Sequence, residues 1–131
     1  MKMVFICSPY RGNIDANLKR ARKHARFATM CGYCPVVPHL LFPQFLNDSD
    51  PDERIKGITL GVAQMEMCDE VWIFGPMVSN GMAYELEAAK KLRIPVRMYD
   101  NDDNRIYPAT MMIDDRISDE YRHAIRDLQF A

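Results

Sequence analysis

Short apolar runs and longer segments of helical spacing alternate along the chain. The run "MVFIC" (Met3 to Cys7), closed by Ser8-Pro9, predicts a buried strand. From Asn13 to Met30, Ile14, Leu18, Ala21, Ala25 and Ala28 recur at steps of three and four, which predicts a helix with one apolar face. Gly32 closes it as a helix C-terminus prefers. "CPVVPHLL" resumes an apolar, β-branched run and reads as the second strand, and "FPQFLNDSD" follows as a loop of aromatic and acidic residues.

A helix start is explicit at "DPDERIKGITLGVAQMEM": Asp50 as N-cap, Pro51 at the first helical position and Glu53 three residues after the cap form a capping-box arrangement. Ile55, Ile58, Val62 and Met65 supply its expected buried stripe. "EVWIFG" reads as a third strand, "SNGMAYELEAAKK" (Ser79 to Lys91) as a third long helix with Met82, Leu86 and Ala89 facing the core, and "IPVRMY" as a fourth strand. "DNDDN" is turn chemistry, "TMMI" reads as a short strand, and Ser118 caps a last helix expected to reach about Leu128.

Strands alternating with helices predict an α/β fold: a single domain built on an open, mostly parallel sheet with helices on both faces, of Rossmann-like or flavodoxin-like kind. At 131 residues the chain is long enough for one core without staples. A net charge of −1 gives no global signature of polyanion binding. The basic face of Lys19, Arg20, Arg22, Lys23 and Arg26 comes without aromatic interleaving, so it reads as a solvated helix face and no nucleic-acid partner is expected. No apolar run approaches the ~20 residues of a membrane span, and "MKMVFICSPY" lacks a signal-peptide pattern, so no membrane partner and a cytoplasmic location are expected. Among Cys7, Cys31, Cys34 and Cys68 only "CGYC" has metal-like spacing, with no second pair to complete a site, so reduced thiols and no metal are expected.

In open α/β sheets ligands bind outside the carboxyl ends of the strands. That rule selects Ser8 to Gly12 after the first strand, Pro38 and His39 after the second, and Gly75 to Gly81 after the third, with Ser8, Tyr10, Arg11, Gly12, His39, Ser79, Asn80 and Gly81 as the candidate binding residues. The loop "SPYRGN" matches neither the GxGxxG fingerprint nor the phosphate loop of nucleoside triphosphatases, so no cofactor is expected. Arg11 offers a permanently charged fork for a phosphate or carboxylate, or is a solvent-facing turn residue. Ser79 is a helix N-cap, and the amides around Gly81 could also receive an anion. His39 is either a pocket residue or a histidine satisfied within the structure. Glu85 lies near the inner edge of its helical stripe, where the positive end of the helix dipole is expected to keep it ionised, as suits a nucleophile.

The stretch "CDEVWIFGPMVSNGMAYELEAAKKLRIPV" resembles the C-terminal signature of the nucleoside 2-deoxyribosyltransferase-like superfamily, above all its 2′-deoxynucleoside 5′-monophosphate N-glycosidases and related members carried by phages and bacteria. The pattern S-x-G-x-x-Y-E is met by Ser79, Gly81, Tyr84 and Glu85, with Asp69 upstream, and "SPYRG" is similar to the S-I-R-G loop of that branch. The resemblance covers most of residues 3–98. It implies hydrolysis or deoxyribosyl transfer at the N-glycosidic bond of a nucleoside or nucleoside 5′-monophosphate, with Glu85 as the nucleophile and Ser79, the amides near Gly81 and Arg11 holding a 5′-phosphate. It further implies a homodimer or larger homo-oligomer, for which the aromatic loop "LLFPQFL" is a candidate contact. Two positions depart from the pattern: a second catalytic Asp falls on Gly61, and a strand-one tyrosine falls on Phe5. Hence the alternative, a catalytically inactive nucleotide-binding or sensing module. His39 or Glu53 would be the proton donor if turnover survives.

Overall fold

A computed structural model describes residues 1–110 and 116–131. Five strands, β1 (Met3–Cys7), β2 (Cys34–Val36), β3 (Glu70–Phe74), β4 (Val96–Tyr99) and β5 (Arg105–Ile106), form one sheet in the order β2-β1-β3-β4-β5. The first four run parallel, and β5 returns antiparallel to β4. The helices are α1 (Ile14–Met30), α2 (Pro38–Leu41), α3 (Pro51–Met65), α4 (Asn80–Leu92) and α5 (Asp119–Ala124). The expected open, mostly parallel α/β sheet is therefore the observed one.

Alternation along the central strands assigns the layers. Phe5 and Cys7 of β1, with Val71 and Ile73 of β3, pack on one face against Met65 of α3, Met82 and Leu86 of α4 and Tyr121 of α5. Val4, Ile6, Trp72 and Phe74 point to the other face, where Ala28 of α1 covers them. Both central strands are buried along nearly their whole length, which accounts for their unbroken apolar runs. Each large aliphatic or aromatic side chain buried there stabilises by roughly 1.5–3 kcal/mol. The chain leaves β1 for β2 on one side and reaches β3 on the other, so the strand order reverses beside the carboxyl ends of β1 and β3. A crevice opens at such a reversal.

Several local expectations are corrected. The second strand stops at Val36, and Pro38 begins α2, because proline suits the first turn of a helix better than a sheet ladder. In α1 the wholly buried positions are Asn17, Ala21, His24 and Ala28, while Ile14 is exposed and Leu18 only partly covered. Asn17 and His24 tolerate burial because each has partners: Asn17 donates to the carbonyls of Tyr10 and Arg11, and His24 Nδ1 lies 2.7 Å from Asp103 Oδ1. In α3, Ile55 is exposed. Asp50 caps that helix through Asp52 N, but Glu53 accepts from Asn47 N rather than closing a box with Asp50. The last helix ends at Ala124, and a turn follows. In "TMMI", Thr110 belongs to a 3-10 turn and 111–113 lie outside the described residues.

Candidate functional site

The crevice holds a cavity of about 390 Å³. Nine candidate site residues line it: Ser8, Tyr10, Arg11 and Gly12 from the turn after β1, His39 from α2, Ser79 and, from the start of α4, Asn80, Gly81 and Glu85. Pro38, Phe42, Pro43 and Leu46 form an apolar wall, and α3 closes the far side through Arg54, Gly57, Ile58 and Gly61. Those α3 positions recur at three- and four-residue spacing, so one face of that helix looks into the cavity.

Local structure fixes each group. Gly12 has φ +97°, a left-handed turn that L side chains rarely adopt, and this folds the β1 loop back over the cavity. Asn17 holds the loop from beneath, with 3.0 Å bonds to the Tyr10 and Arg11 carbonyls. Ser79 Oγ accepts from Met82 N at 3.2 Å, and its carbonyl accepts from Ala83 N. The Asn80 and Gly81 amides are left uncommitted among the described residues, as expected at the first turn of a helix.

Glu85 is half-buried as a residue, yet its Oε1 is fully buried and has no hydrogen-bond partner among the described groups. Burial pushes its carboxyl up to about 8, and a hydrogen bond from the Cys7 thiol only partly offsets this. The expectation of a carboxylate held ionised by the helix dipole is thus corrected: desolvation favours the protonated carboxyl at neutral pH. Cys7 is itself pushed up, by burial first and by Glu85 second. It ends β1 directly below the cavity.

Arg11 is engaged rather than free. Its Nε donates to Asp48 Oδ2 at 2.7 Å and its Nη2 to the Asp48 carbonyl at 2.8 Å, closing the β1 loop onto the segment before α3. His39 Nε2 donates to the Ser8 carbonyl at 2.8 Å, and the His39 ring lies 5.1 Å from that of Tyr10. Burial lowers the His39 pKa, against that hydrogen bond and the nearby Asp48, so the ring is neutral and its remaining Nδ1 can accept but not donate. Ser8 Oγ is buried without a partner. Arg54, which the sequence reading passed over, lines the cavity, and its guanidinium has no hydrogen bond or ion pair among the described residues. Its signal was its place on the same helical face as Gly57, Ile58 and Gly61.

The remaining positions of the signature separate. Asp69 lies at the opposite end of the sheet, where Oδ2 accepts from Met3 N at 2.8 Å, a structural role. Tyr84 is exposed and does not line the cavity, and Phe5 is wholly buried in the core. Gly61 does line the cavity, and a Cβ there would meet Pro38 Cγ at an ordinary 3.7 Å. All four cysteines are free thiols, and no helix among the described residues is long and apolar enough to cross a membrane.

Among solved structures, the 2-deoxyribosyltransferase from the psychrotolerant bacterium Bacillus psychrosaccharolyticus is similar in fold, with a TM-score of 0.60 over 95% of this chain and 90% of that one at 17% sequence identity. No curated protein sequence matches the chain. A family model does match residues 2–99, which include the β1 loop, the α3 wall and the start of α4, and the chain belongs to that family, described as Domain of unknown function (DUF7768).

Proposed function

We propose that the cavity binds a nucleoside or nucleoside 5′-monophosphate and cleaves or transfers its N-glycosidic bond through Glu85. The observation that carries this reading is the Glu85 carboxyl, its buried Oε1 without a hydrogen-bond partner among the described groups, in a cavity whose volume suits a nucleoside-sized ligand. The likeness of fold to a 2-deoxyribosyltransferase supports the same class of chemistry.

In this mechanism Glu85 faces C1′. With a pKa of about 8, on the order of a tenth of the free protein carries the carboxylate at pH 7. Positive charge developing at C1′ favours that form and draws the oxygen onto carbon, giving a glycosyl ester. Water then releases the sugar, or a second base accepts it. The Asn80 and Gly81 amides and the unpaired Arg54 guanidinium supply donors for a 5′-phosphate, and Arg11 joins them only by leaving Asp48.

A second reading, a nucleotide-binding module without turnover, is favoured by Gly61, which brings no proton donor to the α3 wall. Chromatography of free base released from ribo- and deoxyribonucleosides and their 5′-monophosphates separates the two, with wild type and Glu85→Gln run together. Release by wild type alone supports the enzyme. Binding of a nucleotide, seen as a thermal shift, with no release by either protein supports the module.

We propose as well that the whole chain acts as one domain and that two or more copies associate. Leu41 and Phe45, just outside the cavity, and Ile55 of α3 expose large apolar side chains. Light scattering showing a monomer at micromolar concentration would overturn the association.

A further inference from the structure

The reading of the cavity as a site of N-glycosidic cleavage raises a question of protons. A neutral nucleobase must gain a proton as it leaves, and every titratable group along the cavity can be asked whether it has one to give. Asp48 is taken up by Arg11, whose Nε donates to it at 2.7 Å, and Glu53 accepts from Asn47 N. His39 is neutral, with its N–H turned to the Ser8 carbonyl. Tyr10 has its phenol pushed up, by burial and then by Asp48, which makes it a poorer acid than a free tyrosine. The α3 wall offers Gly57, Ile58 and Gly61. Burial holds Glu85 protonated at neutral pH, and it cannot be nucleophile and acid in the same step.

The charges of the lining answer the question. Three carboxyls, Asp48, Glu53 and Glu85, face two guanidinium groups, Arg11 and Arg54. With Glu85 ionised the lining carries one negative charge in excess, which a cationic ligand would neutralise. Two aromatic rings, Tyr10 and Phe42, line the same space, and aromatic faces attract cations. A cation brought beside Glu85 would also convert it into the carboxylate that nucleophilic attack requires.

We propose that the substrate class is an N-glycoside whose glycosidic nitrogen is already positively charged, such as a pyridinium riboside or its 5′-monophosphate. This inference rests on the glycosidic-cleavage reading above. The C1′–N bond breaks with both electrons passing to the ring nitrogen, which cancels its formal charge, so the leaving base needs no proton. Glu85 supplies an oxygen to C1′, and water replaces it, regenerating the carboxylate. One proton per turnover passes to solvent. A neutral base would instead keep that proton, with none released.

The test is base release and proton release from nicotinamide riboside and its 5′-monophosphate, set against inosine, thymidine and their 5′-monophosphates, with wild type and Glu85→Gln in parallel. The expected result is nicotinamide release at least ~100-fold faster than release of either neutral base, since a missing general acid costs about 10²–10⁴ in rate. One proton per nicotinamide should appear in a pH-stat, and Glu85→Gln should abolish both signals. Neutral bases released as fast as nicotinamide, or faster, would overturn the inference and leave the glycosidase reading intact. No release from any substrate would overturn both. Full activity in Glu85→Gln would also overturn both, because the cavity carboxyl would then be dispensable.

Discussion

Arg11 Nε sits 2.7 Å from Asp48 Oδ2, and this one ion pair ties the loop after β1 to the segment that leads into α3. The pair is substantially exposed, so its own contribution to folding is small, within about 1 kcal/mol. Its effect on binding is larger, because a phosphate competes with Asp48 for the same guanidinium. Replacing Asp48→Asn should leave stability within that margin while tightening binding of a 5′-monophosphate ~10-fold relative to the matching nucleoside, equivalent to about 1.4 kcal/mol. Isothermal titration of both ligands against both proteins measures the ratio. An unchanged ratio would show that Arg11 does not meet the phosphate.

Glu85 makes a prediction in pH. Its folded pKa, about 8, lies above the ordinary carboxyl value of 4.5, so the folded chain retains a proton that the unfolded chain has released. The sign follows: this group's contribution is fully present below about 4.5, declines as pH rises between about 4.5 and 8, and is level above that. Glu85→Gln has no such slope. It should therefore be more stable than wild type at pH 8, on the order of 1–4 kcal/mol, with the difference vanishing near pH 4. Denaturation of both proteins at the two pH values reads it directly. If the carboxylate is the nucleophile, wild-type kcat/KM should climb about tenfold per pH unit below the same pKa and flatten above it.

The layered sheet was legible because β1 and β3 are nearly all apolar and the caps Asn13, Asp50, Ser79 and Ser118 all sit where helices begin. The lining at the strand ends was legible too, from Ser8 to Gly12 and from Ser79 to Gly81, whereas the α3 wall with Arg54 was not. What escaped is tertiary. No spacing rule says that Asp48 reaches across to Arg11, that Cys7 lies beneath Glu85, or that desolvation at that glutamate favours its protonated form. In α1 the apolar pattern pointed to Ile14 and Leu18, whereas Asn17 and His24 take buried positions by virtue of partners at Tyr10, Arg11 and Asp103. A polar residue buried for its hydrogen bonds is invisible to hydrophobic periodicity.

Gly61 allows a gain-of-function test. A Cβ at this position meets only Pro38 atoms, at an ordinary 3.7 and 3.8 Å. Aspartate and glycine differ little in helix propensity, so that contribution changes stability by less than about 1 kcal/mol, while the new carboxyl is desolvated at a buried position, which lowers stability and favours its protonated form. Gly61→Asp adds a carboxyl to the α3 wall of the cavity. Release of neutral bases should rise by ~10²-fold while nicotinamide release changes little, if proton donation is what the natural wall lacks. A variant that folds normally and leaves the neutral-base rate unchanged would place the deficit elsewhere.

His24 of α1 is buried against the sheet on the face that carries Phe74. Its ring stacks on Phe74 at 4.0 Å, its Nδ1 meets Asp103, and only about 1% of the residue is exposed. Burial lowers its pKa against the opposing pull of Asp103, so the folded chain holds it neutral. His24→Ala removes the stacked ring and leaves the Asp103 carboxylate without its imidazole partner, which should cost ~2–4 kcal/mol at pH 7. Because the folded pKa is depressed below 6.5, the wild-type contribution is present above 6.5 and is lost as pH falls through the folded value. The gap between wild type and His24→Ala should therefore narrow at pH 5 relative to pH 7, as read by urea denaturation. A gap that widens toward acid would mean that His24 is stabilised as an imidazolium by Asp103, reversing the assignment of its charge.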